Sequence, residues 1–487
     1  MATSRLEIDL SAVERNLAVV RGVTGGADLR GGSPDMQRGR VSVCAVLKQD
    51  AYGTGAARVG KRLAGCGVDM IGVYGLDEAR VVAESVPGTP ILVLMPVHGV
   101  DRMDPLYRHA ASGRLHLTLH GPDQFVAVSE MAGRIGAPVP VHVQVDTGLS
   151  RGGCDPETAR MLVEKVVASQ KLRLGGLMTH FATPCCDDQF TREQARSFRE
   201  FVESIKPAVK AAVESGGRAV SRVHDLALHA ANSCATFRSR AYHGTMVRVG
   251  QSLLGYGIED VPEGERFEFR GEMGQIDPAV RMTSTVVHMQ DIPAGWPVGY
   301  GSTWRAPHRT DGRRTRIAVI PVGYADGYPR ALGGRASGGP GWVGFTGRSW
   351  ERRGGAEGDD AGRIDRAGVT TPTVYAPVVG RVSMDQITVD ITDVPEAYLR
   401  PVKSGPETIG PEVEIYSRQR GARNFLPTMA HAAGTITHEL LCRVGPRVER
   451  IYRYPAQAES RDHSSAGRLN AAGRTGGGIG GAAAVAQ

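Results

Sequence analysis

Between Val43 and Val249 one pattern recurs eight times: a short apolar run rich in β-branched residues, then a longer stretch whose apolar residues mostly keep helical spacing. The runs are Val43–Leu47, Met70–Val73, Ile91–Leu94, Leu115–Leu119, Val139–Val145, Leu174–Met178, Leu226–His229 and Met246–Val249. Strands joined by helices run parallel, and a parallel sheet must be covered by its own helices. Eight repeats in about 200 residues predict a closed (β/α)8 barrel, an α/β fold at the low end of its size range, in preference to an open sheet.

Such a barrel carries its chemistry on the loops after the C-terminal ends of its strands. The polar residues of this chain collect there. Lys48 follows the first run, Asp146 to Arg151 the fifth, Thr179-His180-Phe181-Ala182 the sixth, His229-Ala230-Ala231-Asn232-Ser233 the seventh, and Gly250-Gln251 the eighth. Ser233 and the backbone of Gly250 and Gln251 lie in the two loops that commonly cradle phosphate in such barrels. Lys48 leaves a buried strand, where lost hydration lowers an amine's pKa and suits it to Schiff-base chemistry. On this stretch alone, an ordinary strand-end lysine pointing at water has an equal claim.

After about Tyr256 the texture changes. Strand-like runs at Met282–Met289, Ile317–Val322, Trp342–Phe345, Val374–Val379 and Ile387–Asp390 follow one another without long helices, which predicts a second, mostly β domain. The expected division is a barrel domain over 1–255 with an insertion near 25–40, a β domain over 256–455 with an insertion near 336–367, and an Ala/Gly/Ser-rich disordered tail over 456–487. Leu6 to Leu10 reads as a short strand with Ser11 capping a helix, Thr428 to Arg443 as a helix, and Val448 to Tyr454 as a last strand.

Composition narrows the partners. Fifty-eight basic against 51 acidic residues leave a formal charge of +7, with no basic run interleaved with aromatics, so a nucleic-acid partner has only the pI in its favour. No run of 18 apolar residues and no N-terminal apolar leader occur, which speaks against a membrane. Seven cysteines, an odd number without C-x-x-C or framework spacing, predict free thiols in a reducing, cytoplasmic setting and no metal site.

Val46-Leu47-Lys48, followed by Asp50-Ala51-Tyr52-Gly53-Thr54-Gly55, resembles the pyridoxal-phosphate lysine motif of alanine racemases. Further segments resemble the same family: Met246-Val247-Arg248-Val249-Gly250, Val298-Gly299-Tyr300-Gly301-Ser302-Thr303, Pro321 to Tyr328, and Val379 to Gln386. The resemblance spans roughly Arg5 to Tyr454. It implies pyridoxal 5'-phosphate (PLP) joined to Lys48, with Tyr52, Asn232, Ser233, Gly250 and Gln251 around its phosphate. It implies Arg248 at the pyridine nitrogen in a network with His180 and His229, and Arg151 against the cofactor's phenolic oxygen or the substrate carboxylate. Inverting a planar Cα needs an acid/base on each face. The resemblance gives those roles to Lys48 and, across a homodimer interface, to Tyr300, with the Met384 backbone touching substrate and Tyr324, Arg381 and His438 at the entrance.

Three positions depart from the family pattern: Thr54 for a histidine, Gln144 for a lysine that becomes carbamylated, and His438 for a tyrosine. The implied activity is racemisation of L-alanine to D-alanine for cell-wall peptidoglycan. The imidazole of His438 leaves open a serine, lysine or broad-specificity racemase. A PLP-dependent decarboxylase is disfavoured by Arg248, because a carboxylate at the pyridine nitrogen suits that chemistry better. A non-catalytic PLP carrier is disfavoured by the second domain with its Tyr300.

Overall fold

The chain opens with β1 (Arg5–Asp9) and a helix, Leu10–Val23, before the eight apolar runs begin. The computed structural model describes residues 3–25, 40–214, 226–257, 259, 261–334, 340–346, 372–400 and 410–454. The runs become β2 (Ser42–Val46), β3 (Met70–Val73), β4 (Ile91–Val93), β5 (Leu115–Leu119), β6 (Val139–Gln144), β7 (Leu172–Met178), β8 (Ala227–His229) and β9 (Met246–Val249). They form one eight-stranded parallel sheet in which β9 returns to pair with β2. Between β8 and β9, Thr245 N–H donates to the Leu228 carbonyl and Arg248 N–H to that of Ala231, both at 2.9 Å, which nearly closes the barrel. β3, β5, β6 and β9 are buried at every position, as strands covered on both faces must be.

The covering helices follow from local chemistry. In Pro156–Ala168 the Asp155 carboxylate accepts from the Glu157 and Thr158 N–H groups, and Pro156 sits where a missing N–H costs nothing. Ala159, Leu162, Val163 and Val166 recur at intervals of three and four and are all buried against the sheet. Replacing Asp155 by alanine would take the acceptor from both N–H groups and loosen the start of the helix. In the first helix the cap is Asp9, whose carboxylate accepts from Ser11 and Ala12 N–H; Ser11 lies inside the helix.

The second domain contains β10 (Val280–Thr285), β11 (His288–Ile292), β12 (Pro297–Val298), β13 (Trp304–Arg305), β14 (Thr315–Ile320), β15 (Trp342–Phe345), β16 (Val374–Val379), β17 (Ile387–Asp390), β18 (Glu412–Tyr416) and β19 (Glu449–Arg453). Nine strands form a sheet in the order β11-β14-β17-β16-β15-β18-β10-β1-β19, while β12 and β13 pair separately around the turn that bears Tyr300. β1 therefore belongs to the β-domain sheet, antiparallel to β10 and parallel to β19. Its alternation of buried Leu6 and Ile8 with half-buried neighbours suits that sheet.

Two expected elements are divided. The run Met282–Met289 breaks into β10 and β11, and the helix expected over 428–443 becomes Leu426–Ala432 and Thr437–Cys442, with Gly434 left-handed (φ 72°) between them. Residues 26–39 and 456–487 lie outside the described residues, and within 336–367 only 340–346, which holds β15, is described. No described helix is long and apolar enough to cross a membrane.

Candidate active site

Lys48 starts a turn with unusual backbone. Gln49, Asp50, Ala51 and Tyr52 all adopt left-handed φ, between 52° and 59°. An L-residue held there costs roughly 1–2 kcal/mol, so the turn needs support from outside itself. Gln49 N–H donates to Glu78 Oε1 (2.7 Å), Ala56 N–H to Asp50 Oδ1 (2.7 Å), and the Thr54 hydroxyl to the Ala51 carbonyl (2.6 Å). The β domain adds a clamp: Arg450 Nε donates to the Gly53 carbonyl (3.1 Å) and the Tyr452 hydroxyl to that of Thr54 (3.0 Å). Gly53 is required here, since a Cβ on it would lie 2.6 Å from the Leu441 carbonyl.

The turn opens onto a cavity of about 520 Å³ at the C-terminal mouth of the barrel. Lys48, Tyr52, Arg151, His180, Asn232, Ser233, Arg248, Gly250, Gln251 and His438 line it together with Tyr74, His120 and Gln144. Lys48 faces this space and counts as exposed, yet the enclosing walls still push its amine below the usual range, with the charge of Arg151 acting second. Beyond Lys48 and Tyr52 a second cavity of about 510 Å³ continues past His438, Glu78, Ile436 and Cys442. The His438 ring sits 5.3 Å from that of Tyr52.

Arg248 is buried without a carboxylate partner. Its Nη1 donates to His229 Nδ1 (2.9 Å) and the His229 carbonyl (2.6 Å). Its Nη2 donates to the Thr179 carbonyl (2.7 Å), His180 Nδ1 (3.1 Å) and the Ala230 carbonyl (3.2 Å). Among the described residues Nε–H has no partner. Burial pulls the guanidinium down to about 10, so it remains a cation at neutral pH. Arginine only donates, so both imidazoles must accept at Nδ1 and carry their proton on Nε2. Burial first, and Arg248 next, hold His180 and His229 well below the ordinary imidazole range and therefore neutral.

Opposite Arg248, Ser233 Oγ accepts from Gly250 N–H (3.1 Å), and Asn232 Oδ1 caps the short helix by accepting from Ala235 N–H (3.0 Å). A Cβ on Gly250 would fall 2.1 Å from the Tyr52 hydroxyl, which has no partner among the described residues. Gln144 and His120 hold the loop of Arg151: Gln144 Nε2 donates to the Gly152 carbonyl (2.8 Å) and His120 Nδ1 accepts from Gly153 N–H (2.9 Å). Gln144 thus acts on the backbone beside Arg151.

Tyr300, Tyr324, Arg381 and Met384 meet elsewhere, around a cavity of about 410 Å³ that shares no residue with the Lys48 cavity. Tyr300 is 73% exposed and Met384 53%. The two motif segments there form one unit, with Tyr324 N–H on the Ser383 carbonyl (3.0 Å) and Ala325 N–H on that of Met384 (3.1 Å).

The expectation of seven free thiols needs correction. Cys185, after β7, and Cys234, after β8, are joined by a disulfide (Cα–Cα 5.8 Å) on the wall of the Lys48 cavity, and the other five are free. Their 49-residue separation hid the pairing, because only the pairing of β7 with β8 brings those two loops together. Glu78 also gave no sequence signal. His116 and His142 did, as histidines inside the mostly apolar runs of β5 and β6.

Two family models match the chain: the N-terminal domain of alanine racemase over residues 8–257, and the C-terminal domain over 279–351 and 359–452. The alanine racemase of Treponema pallidum is 31% identical over 427 residues, covering 86% of this chain and 94% of that protein. The solved alanine racemase of Streptomyces coelicolor superposes with a TM-score of 0.67 at 25% identity, covering 92% of this chain and 98% of that one. That of Bartonella henselae, with covalently bound pyridoxal phosphate, shares the fold with a TM-score of 0.65 at 23% identity, covering 93% of this chain and all (100%) of that one.

Proposed function

Because the chain belongs to the alanine racemase family, we propose that it interconverts L- and D-alanine with pyridoxal phosphate in the barrel cavity, as a homodimer whose second copy completes each site. The observation that carries the reading is Arg248, a buried guanidinium held only by neutral acceptors, with Nε–H left over on the wall that also bears Lys48.

The residues fit the cofactor. Arg248 offers a donor suited to an unprotonated pyridine nitrogen, and among the described residues no carboxylate bonds to it that could keep that nitrogen protonated. The bare Cα of Gly250, the unpartnered Tyr52 hydroxyl and Ser233 leave a polar space suited to a phosphate. The depressed amine of Lys48 suits covalent attachment. When bound, pyridoxal phosphate delocalises negative charge from the substrate Cα. Lys48 Nζ would then move the Cα proton on one face and Tyr300 Oη of a second copy on the other. His180 Nε2–H would steady that phenolate, and Arg151 would orient the substrate carboxylate. Tyr324, Arg381 and His438 would form the entrance, and the Met384 backbone would touch the substrate. The product would serve as the D-alanine of peptidoglycan.

Purified protein supplied with PLP should racemise alanine from either enantiomer, and Lys48→Ala should lose both activity and covalent cofactor. A wild type that takes up PLP but converts neither enantiomer would sink the reading. The cavity that continues past His438 supports a second reading, a racemase of broader range; turnover of serine and lysine at rates comparable to alanine would favour it.

A further inference from the structure

Below Arg248 the contact with His229 continues down the barrel interior. His229 Nε2 lies 2.8 Å from His142 Nδ1, and His142 Nε2 lies 2.9 Å from His116 Nδ1. The three residues come from different strands at descending heights: the last residue of β8, the fourth of β6 and the second of β5. All are buried.

Proton positions along this column follow from its upper end. Arg248 forces His229 to accept at Nδ1, so its Nε2 carries the proton and donates to His142 Nδ1. His142 then donates through Nε2 to His116 Nδ1, which leaves the proton of His116 on its remaining nitrogen. All three rings are neutral Nε2–H tautomers pointing the same way. Burial holds each below the ordinary range, with Arg248 and Arg173 adding to it.

The chain makes room for this arrangement. Gly175 and Gly176 stand side by side inside β7, where glycine weakens a strand. A Cβ on Gly176 would lie 2.5 Å from His142 Nδ1, and one on Gly175 would lie 3.1 Å from His142 Nε2 and 3.2 Å from His116 Nδ1. The β6–β7 register shifts between Val141 and His142. Apolar side chains could fill the same volume without a shifted register or an aligned row of donors.

We propose that His142 and His116 are positioning residues for the reaction: acting through His229, they keep an acceptor turned to Arg248 and so fix the guanidinium against the cofactor. Without His142, the Nε2–H of His229 loses its acceptor and the Nδ1–H tautomer becomes accessible, setting N–H against N–H beside Arg248. The proposal rests on the racemase reading.

The test combines side-chain ¹⁵N NMR of histidine-labelled protein, with and without PLP, and steady-state kinetics. In the wild type all three rings should be neutral Nε2–H tautomers at pH 7. His142→Leu should populate the Nδ1–H form of His229, shift the absorption maximum of bound PLP, and lower kcat about tenfold in both directions with KM for alanine within about twofold. His142→Asn, which keeps an acceptor near Nδ1, should regain most of that loss. If His142→Leu does not fold, His116→Leu serves in its place, with about a threefold loss of kcat and the same unchanged KM. A wild-type His229 protonated at Nδ1, or folded, PLP-loaded variants with undiminished kcat, would overturn the proposal. A wild type that binds no PLP would overturn the racemase reading instead, and the tautomers of the cofactor-free protein would still judge the column.

Discussion

The barrel mouth and the Tyr300 face of the β domain handle their functional residues in opposite ways. At the barrel mouth Arg248 is buried, Ser233 is half-buried and Lys48 faces the cavity it lines, and Arg248 and Ser233 are held by named partners from several strands. On the β domain Tyr300, Tyr324 and Met384 stand 73%, 45% and 53% exposed around a separate cavity. Under the proposed function, a lone chain would hold the groups that seat the cofactor, and Tyr300, the proposed second acid/base, is turned outward. On the function proposed above, binding and inversion would be separable, the first belonging to one copy and the second to two.

Mixing two inactive variants gives the largest expected effect. Lys48→Ala and Tyr300→Phe should each lose activity by roughly 10²–10⁴-fold. Unfolded and refolded together, they should recover about a quarter of wild-type sites, because random pairing in a twofold dimer leaves one intact site in each mixed dimer. No recovery would mean that Lys48 and Tyr300 serve one site within a copy. By itself, Tyr300→Phe should keep the melting temperature and PLP content of the wild type, as expected for an exposed ring.

Gly250→Ala probes the barrel side alone. Its methyl would crowd the Tyr52 hydroxyl, which should weaken PLP binding by about 1–3 kcal/mol in a fluorescence titration and leave the dimer intact.

Acid should also strike the barrel first. His116 is depressed to about 3, and His142, His180 and His229 lie well below the ordinary value. Below about pH 6.5 the unfolded chain binds protons that the folded chain refuses, so stability falls with falling pH down to the folded-state values. Each buried histidine contributes up to about 1.4 kcal/mol per pH unit. Denaturant midpoints at pH 7 and pH 5 check the sign; a protein equally stable at both would break the picture of a neutral histidine interior.

Much of this was legible in the residues. The eight barrel strands could be read because burial on both faces leaves mostly apolar runs, and Lys48, Arg151, Ser233 and Gly250 could be placed because strand order fixes which loops share a face. What escaped depends on contacts distant in sequence. β1 pairs across the chain with β10 and β19, and Cys185 meets Cys234 only once β7 pairs with β8. His116 and His142 form a column only through strand register, and Gly175-Gly176 gain meaning only from the rings beside them.

The left-handed stretch from Gln49 to Tyr52 has a consequence for engineering. Glycine at position 49 would adopt that backbone without strain, and Gln49→Gly should raise resistance to denaturant by roughly 0.5–1 kcal/mol after its own entropy penalty. The same change would loosen the tether of Lys48. A screen for thermal tolerance alone would therefore favour the substitution that lets the Lys48 amine wander, so the thermostability of this chain should be selected together with its turnover.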